Sequence, residues 1–414
     1  MKANTLAAIR KMILLLVVLA CHPAIPGAQP RLPLQRLGYR DLGYLHFSQI
    51  PADGSYITSL TATPDGQVYG ATSGFRSYLF VFSPKTDQVK PLGYLPGCEG
   101  VHHSMAAGRD GSLFLGGGQN VIQPFPIARR SGGGLNWVSE DLWQQVENRY
   151  RGYAGGHLYR YEPAPPGQAW QGDKPAKVED LGIPVPGDGI YCLAMDPERE
   201  VLYGISYPHG HFFLYEAKNK AIKDLGTIFR EILFGGPDIR TLRSLPRNLA
   251  VDRNGCVYAS GDEGRILRYC PQTQQVQTLE AAIPGTGIRV IEAWVVSGEV
   301  IYGGTSDGYL FRFHPASQNL ENLGKPLVEP RIRGLTLGRN GDLFGLGGER
   351  FGVNTFFRYD PASSTFEIMG SIEVDRSPYY ARRAHQFDAM ATAADGTIFM
   401  GESDRGGHLF FFIP

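Results

Sequence analysis

Seven positions spread along the chain, Thr58, His103, Tyr191, Arg247, Glu292, Arg333 and Asp388, share one setting: each stands two residues before an apolar residue within a short apolar run. A position repeated for structural reasons alone is ordinarily filled by bland residues. Here it holds a histidine, a tyrosine, two arginines and two acids. Guanidinium groups bind carboxylate or sulfate bidentately, and an imidazole is a base near neutral pH. Together they fit removal of a proton next to a carboxylate, as at C5 of a uronate, where cations must neutralise the acid before a base can act. On this reading His103 is the base, Arg247 and Arg333 are the neutralisers, and Tyr191 or Tyr207 is the acid for the leaving oxygen.

Other candidates flank these in sequence. His102, Arg240, Arg243, Arg289, Arg331, Arg382, Arg383 and His385 lie on segments leading into the apolar runs. Arg331 and Arg333, at alternate positions, should point the same way, whereas only one of His102 and His103 can face inward. The stretch Ser206-Tyr207-Pro208-His209-Gly210-His211 puts two histidines and a tyrosine on one loop, where they could hold a substrate or a divalent metal. Residues 117–155 form a long insertion with Arg129, Arg130, Trp137, Trp143, Arg149, Arg151 and Tyr153, of which Trp143 and Tyr153 are read as substrate contacts. His102, His209, His211, His385 and Arg331 complete the expected binding set. Two alternatives stand beside the lyase. A glycoside hydrolase would draw two carboxylates from Glu292, Asp388, Glu349, Glu402 and Asp404. A non-catalytic glycan-binding protein would rely on Trp137, Trp143 and Tyr153.

The elements that position these residues repeat. Residues 59–93 read as four short strands separated by Pro64-Asp65-Gly66, a loop, and Pro84-Lys85-Thr86-Asp87. The first turn recurs at Gly108 to Gly111, Asp196 to Glu198, Asp252 to Gly255, Ser297-Gly298, Gly338 to Gly341 and Ala393 to Gly396. The third strand recurs in step, as in Tyr78-Leu-Phe-Val-Phe, Tyr309-Leu-Phe-Arg-Phe and His408-Leu-Phe-Phe-Phe. Units of about 40 to 50 residues that cannot bury both faces alone are propeller blades. The expected fold is all-β: a seven-bladed β-propeller of four-stranded antiparallel blades over residues 37–414. The seventh unit ends after its third strand, so residues about 37–45, with Arg40-Asp41-Leu42-Gly43, should supply the fourth and close the ring. His157, His211 and His408 all begin third strands, and a positional preference suffices for His157 and His408. Arg160, Arg268, Arg312 and Arg358 recur inside third strands and read as structural.

These blades resemble those of secreted bacterial seven-bladed propellers, including uronate polysaccharide lyases and the virginiamycin-lyase-like group. The resemblance spans the chain after its leader, is architectural, and carries no catalytic motif with it. It implies a carbohydrate-active or related enzyme outside the cell.

Forty basic and forty acidic residues in 414 cancel, which argues against a nucleic-acid partner. An acidic carbohydrate and a monomeric protein are expected. Lys2, Arg10 and Lys11 ahead of the apolar run 12–20 read as a signal peptide over residues 1–28, with no membrane span. Val18-Leu19-Ala20-Cys21 offers a lipobox, which would tether the protein, and cleavage after Ala28 is the alternative. In an oxidising compartment Cys256 and Cys270 could pair across a hairpin and Cys98 with Cys192 between neighbouring blades, unless all four are small buried apolar groups.

Overall fold

In the computed structural model, residues 37–41, 50–51, 54–119, 151–163, 174–228, 246–261, 265–282, 290–328, 331–348, 354–372, 386–403 and 407–414 are described. Residues 1–28, read above as a signal peptide, lie outside them with Cys21, Trp143 and His385. So do Arg129, Arg130, Trp137, Arg149, Arg240, Arg243, Arg289, Glu349, Arg350, Arg382, Arg383, Asp404 and Arg405. No helix of the described residues is long and apolar enough to cross a membrane.

Seven antiparallel sheets of four strands follow one another along the chain. Naming the strands of each sheet A to D in order, blade 1 consists of Tyr56–Ala62, Val68–Ser73, Tyr78–Ser83 and Gln88–Tyr94. Each A strand neighbours the A strands of the blades on either side, and the last, Phe387–Thr392, returns to the first. The A strands therefore line the axis. The strand Leu37–Asp41 pairs with His408–Phe412, the third strand of blade 7, with Leu37 opposite Phe412 and Asp41 opposite His408. The ring is closed by the N-terminal strand, as the unit count requires.

There is one apolar cluster for each of the seven junctions between blades, rather than a single core. Each sheet buries its faces against its neighbours, which is why one blade alone is not stable. Close approach across the strands depends on glycine: the rings of Phe80, Phe213, Phe311 and Phe357 lie over Gly70, Gly204, Gly303 and Gly345, where a Cβ would sit within 2.3 Å of the ring. Cys256 and Cys270 form a disulfide across the hairpin of blade 4. A loop this short removes about 3 kcal/mol of chain entropy from the unfolded state. Cys98 and Cys192 do not pair and are buried thiols, the second of the two readings open for them. Cys98 lies at the junction of blades 1 and 2 and Cys192 at that of blades 3 and 4, so two blades' thickness separates them. Burial pushes both thiols up, Cys98 to about 11.

Candidate functional site at the mouth of the central channel

Five of the seven repeated positions are built by one device. In strand A of blades 1, 3, 5, 6 and 7 the pairing with strand B slips by one residue, between Ile57 and Ser59, Ile190 and Cys192, Ile291 and Ala293, Ile332 and Gly334, and Phe387 and Ala389. The extra residue is Thr58, Tyr191, Glu292, Arg333 or Asp388. A bulge of this kind re-aims the inserted side chain and leaves the strand on either side in register. Its sequence trace is an apolar pair three residues apart, such as Ile57 and Leu60 or Ile332 and Leu335. In a regular strand such a pair would point to opposite faces. Here both members enter the same inter-blade cluster.

Blade 2 reaches the same place differently. His103 precedes the strand Met105–Ala107 and adopts a left-handed backbone, φ 43°. Its N–H donates to the carbonyl of Thr58 at 3.1 Å, and its carbonyl accepts from the N–H of Leu193 at 3.1 Å. The histidine is thus fixed between the corresponding stretches of blades 1 and 3. Among the described residues, eight that are not glycine have positive φ, and six of them are in hairpin turns; the other two are His103 and Arg331, φ 76°. Backbone conformations of this kind cost about 1–3 kcal/mol and gather at functional sites.

A cavity of about 170 Å³ opens among the A strands, and His103, Arg247, Glu292, Arg333 and Thr58 line it. The side chain of Asp388 is not described. Glu292 is 3% exposed and receives Arg331 bidentately, with Nε at 3.0 and 3.1 Å from its two oxygens and Nη2 at 3.0 Å from Oε1. Burial pushes this carboxyl up, but Arg331, Arg247 and Arg333 together outweigh it and hold the group below its ordinary value. Among the described side chains, three guanidiniums thus act on this one carboxylate. Arg333 also donates to Gln386 Oε1 at 3.2 Å. Arg331 and Arg333 do act on one place, although the bulge and the turned backbone of Arg331 bring this about rather than simple alternation.

Glu292→Ala should cost about 3 kcal/mol, the low end for breaking a buried pair because Arg331 keeps some contact with water. A lowered denaturant midpoint at unchanged slope would register it. Because the folded carboxyl titrates below 4.5, its contribution is complete above that pH and is lost as pH falls through the folded value. Glu292→Gln should remove this acid-dependent part of the stability curve.

Of the paired histidines, only His103 lines the cavity. His102 is 2% exposed, and its Nε2 donates to the carbonyl of Gln119 at 3.3 Å. Tyr191 is half-buried, with its ring edge-on to His103 at 5.9 Å between centroids and also 5.9 Å from Tyr207. Tyr207 is 6% exposed and belongs to the apolar cluster between blades 3 and 4, against which Tyr153 also packs. Burial pushes the Tyr153 phenol above its ordinary value. Arg151 is exposed.

The other histidines sort by the carboxylate they meet. His157 Nδ1 lies 2.8 Å from Asp180 and His211 Nδ1 2.9 Å from Asp224, in each case on the outermost strand of the blade. His211 therefore repeats the structural pairing of His157 and does not converge with His209, whose Nδ1 bonds Asp188. His408 bonds the buried Glu402. Among the described residues no three His, Cys, Asp or Glu side chains gather as a metal site would require. The third-strand arginines pair locally: Arg160 with Asp110, Arg268 with Gln277, Arg312 with Glu321 and Arg358 with Asp342. The Arg331–Glu292 pair and Asp188 were not foreseen. The Pro186-Gly187-Asp188-Gly189 stretch has the composition of an ordinary turn.

No protein-family model matches the chain, and no curated protein does. Among solved structures it is similar to virginiamycin B lyase from Staphylococcus aureus, with 11% identity over 91% of this chain and 99% of that one, at a TM-score of 0.58. It shares the β-propeller fold. It is also similar to the extracellular domain of the hybrid two-component system BT4673 from B. thetaiotaomicron, with 12% identity over 90% of this chain and 39% of that one, at a TM-score of 0.53. The virginiamycin-lyase-like part of the architectural resemblance therefore has a counterpart, whereas a likeness to uronate lyases is not shown. At these identities the likeness concerns architecture alone.

Proposed function

We propose that the chain is an exported lyase that removes a proton beside the carboxylate of an acidic carbohydrate. The observation that carries this reading is the cavity that His103, fixed in a left-handed backbone, lines together with Arg247 and Arg333. Arg247 and Arg333 bind the carboxylate and stabilise the charge that develops on it as the proton leaves. His103 accepts the proton, and Tyr191 holds the imidazole edge-on. A hydrolase needs one carboxylic acid and one free carboxylate across the scissile bond. Glu292 is committed to arginine, which favours elimination.

The test is incubation with a panel of uronate-containing polysaccharides, following the ultraviolet absorbance of an unsaturated uronate together with release of reducing ends. Absorbance with new ends is expected. Ends without absorbance would instead indicate hydrolysis, and binding without either would indicate a glycan-binding protein.

A further inference from the structure

Asp188 is buried, at 1% exposure, directly before strand A of blade 3, Gly189–Asp196. Three donors converge on its carboxylate: the hydroxyl of Ser206 at 2.5 Å, the backbone N–H of His209 at 3.0 Å, and Nδ1 of His209. Ser206 Oγ in turn accepts from the N–H of His211 at 2.9 Å, so the loop 206–211 closes around the acid. The imidazole of His209 nevertheless keeps 48% of its side-chain surface exposed, whereas the Asp188 side chain keeps 0%. His157 and His211 differ in this respect, because their carboxylate partners are themselves half or one-third exposed. A buried carboxylate on Nδ1 sets the tautomer of a histidine, places the lone pair on Nε2 and stabilises the imidazolium when Nε2 is protonated.

The pair belongs to the same face as the cavity. Gly189 pairs with Tyr207 and Ile190 with Ser206, and Tyr191 follows at once as the bulge residue that touches both His103 and Tyr207. Two residues, hence three strand steps, separate Asp188 from Tyr191, about 10 Å.

We propose that His209, positioned by Asp188, is the proton donor to the leaving oxygen in the elimination described above, on which this assignment rests. His103 takes the proton from carbon, and the electron pair of that bond forms the new double bond. The carbon–oxygen bond breaks with its pair going to oxygen, which takes a proton from the His209 imidazolium. Water then reprotonates His209 and accepts the proton held by His103. An imidazole suits this better than a phenol because a donor is most effective with a pKa near the working pH, about 6.5 for unperturbed histidine against about 10 for tyrosine. Tyr207, enclosed in its cluster, is poorly placed to reach a substrate.

The test compares wild type, His209→Gln and Asp188→Asn on two uronates that differ in the group carried through oxygen on C4, one a sugar and one a 4-nitrophenyl ether, whose 4-nitrophenolate departs without a proton. His209→Gln should lose about 10²- to 10⁴-fold in kcat on the first and little on the second. Asp188→Asn should follow it, with the Nδ1–H tautomer of His209, read by nitrogen-15 NMR, lost. Equal losses on both substrates, no loss on either, or an unchanged tautomer in Asp188→Asn would overturn the assignment while leaving an active lyase. A folded wild type that forms no unsaturated product from any substrate sinks the lyase reading and this role together.

Discussion

Removing residues through Asp41 should abolish the cooperative melting of the propeller or lower its midpoint by more than about 10 °C, relative to a chain that begins at Leu37. Leu37 and Tyr39 pack against the cluster between blades 6 and 7. Full burial of such a side chain is worth about 1.5–3 kcal/mol, and these two, partly buried, contribute about half of that each against the 5–15 kcal/mol by which domains are ordinarily stable. The guanidinium of Arg40 lies over Phe411 at 5.2 Å and pairs with Asp87 of blade 1, so the strand also ties the last blade to the first. Its loss uncovers the edge of His408–Phe412 along its whole length. Circular dichroism melts of the two truncations decide the matter. Equal midpoints would mean that ring closure does not depend on this strand.

His103→Asn, Arg247→Ala and Arg333→Ala should each lower kcat/KM for an acidic substrate by about 10²- to 10⁴-fold while the fold survives. Asparagine tolerates the left-handed backbone at position 103, so that variant removes the base without adding strain. Loss of either arginine should raise KM as well, because in the proposed reaction both would contact the carboxylate of the bound substrate. The double arginine variant should fall short of the product of the two single losses, since both act on one charge. Arg160→Ala, which breaks surface pairs with Asp110, Glu162 and Glu179, is the control and should retain activity. Full activity in His103→Asn would remove the basis for the proposed site.

The blade count was legible because two independent markers, the turn after strand A and the aromatic third strand, recur in step. Ring closure followed from a missing strand at one end and a matching segment at the other. The ring of candidate residues could also be aligned, yet its geometry stayed hidden, because a bulge changes direction without changing composition. The apolar pairs three residues apart, Ile190 with Leu193 or Ile291 with Trp294, were the available sign. Partner choice was harder to read. His209 and His211 look equivalent on the page, but one meets a buried acid at the inner end of its blade and the other an outer-strand acid. That difference depends on which strand lies beside the loop, and spacing along the chain does not encode it.

The bulges on the A strands also separate two demands that usually compete. At each one a side chain has been added to the wall of the channel, while the apolar residues on either side remain seated in the junction between blades. The residue at this position differs from blade to blade, threonine, tyrosine, glutamate or arginine, while the apolar pair that flanks it is kept. The character of the channel mouth is thus set by residues other than the apolar pairs that seat each strand between its neighbours.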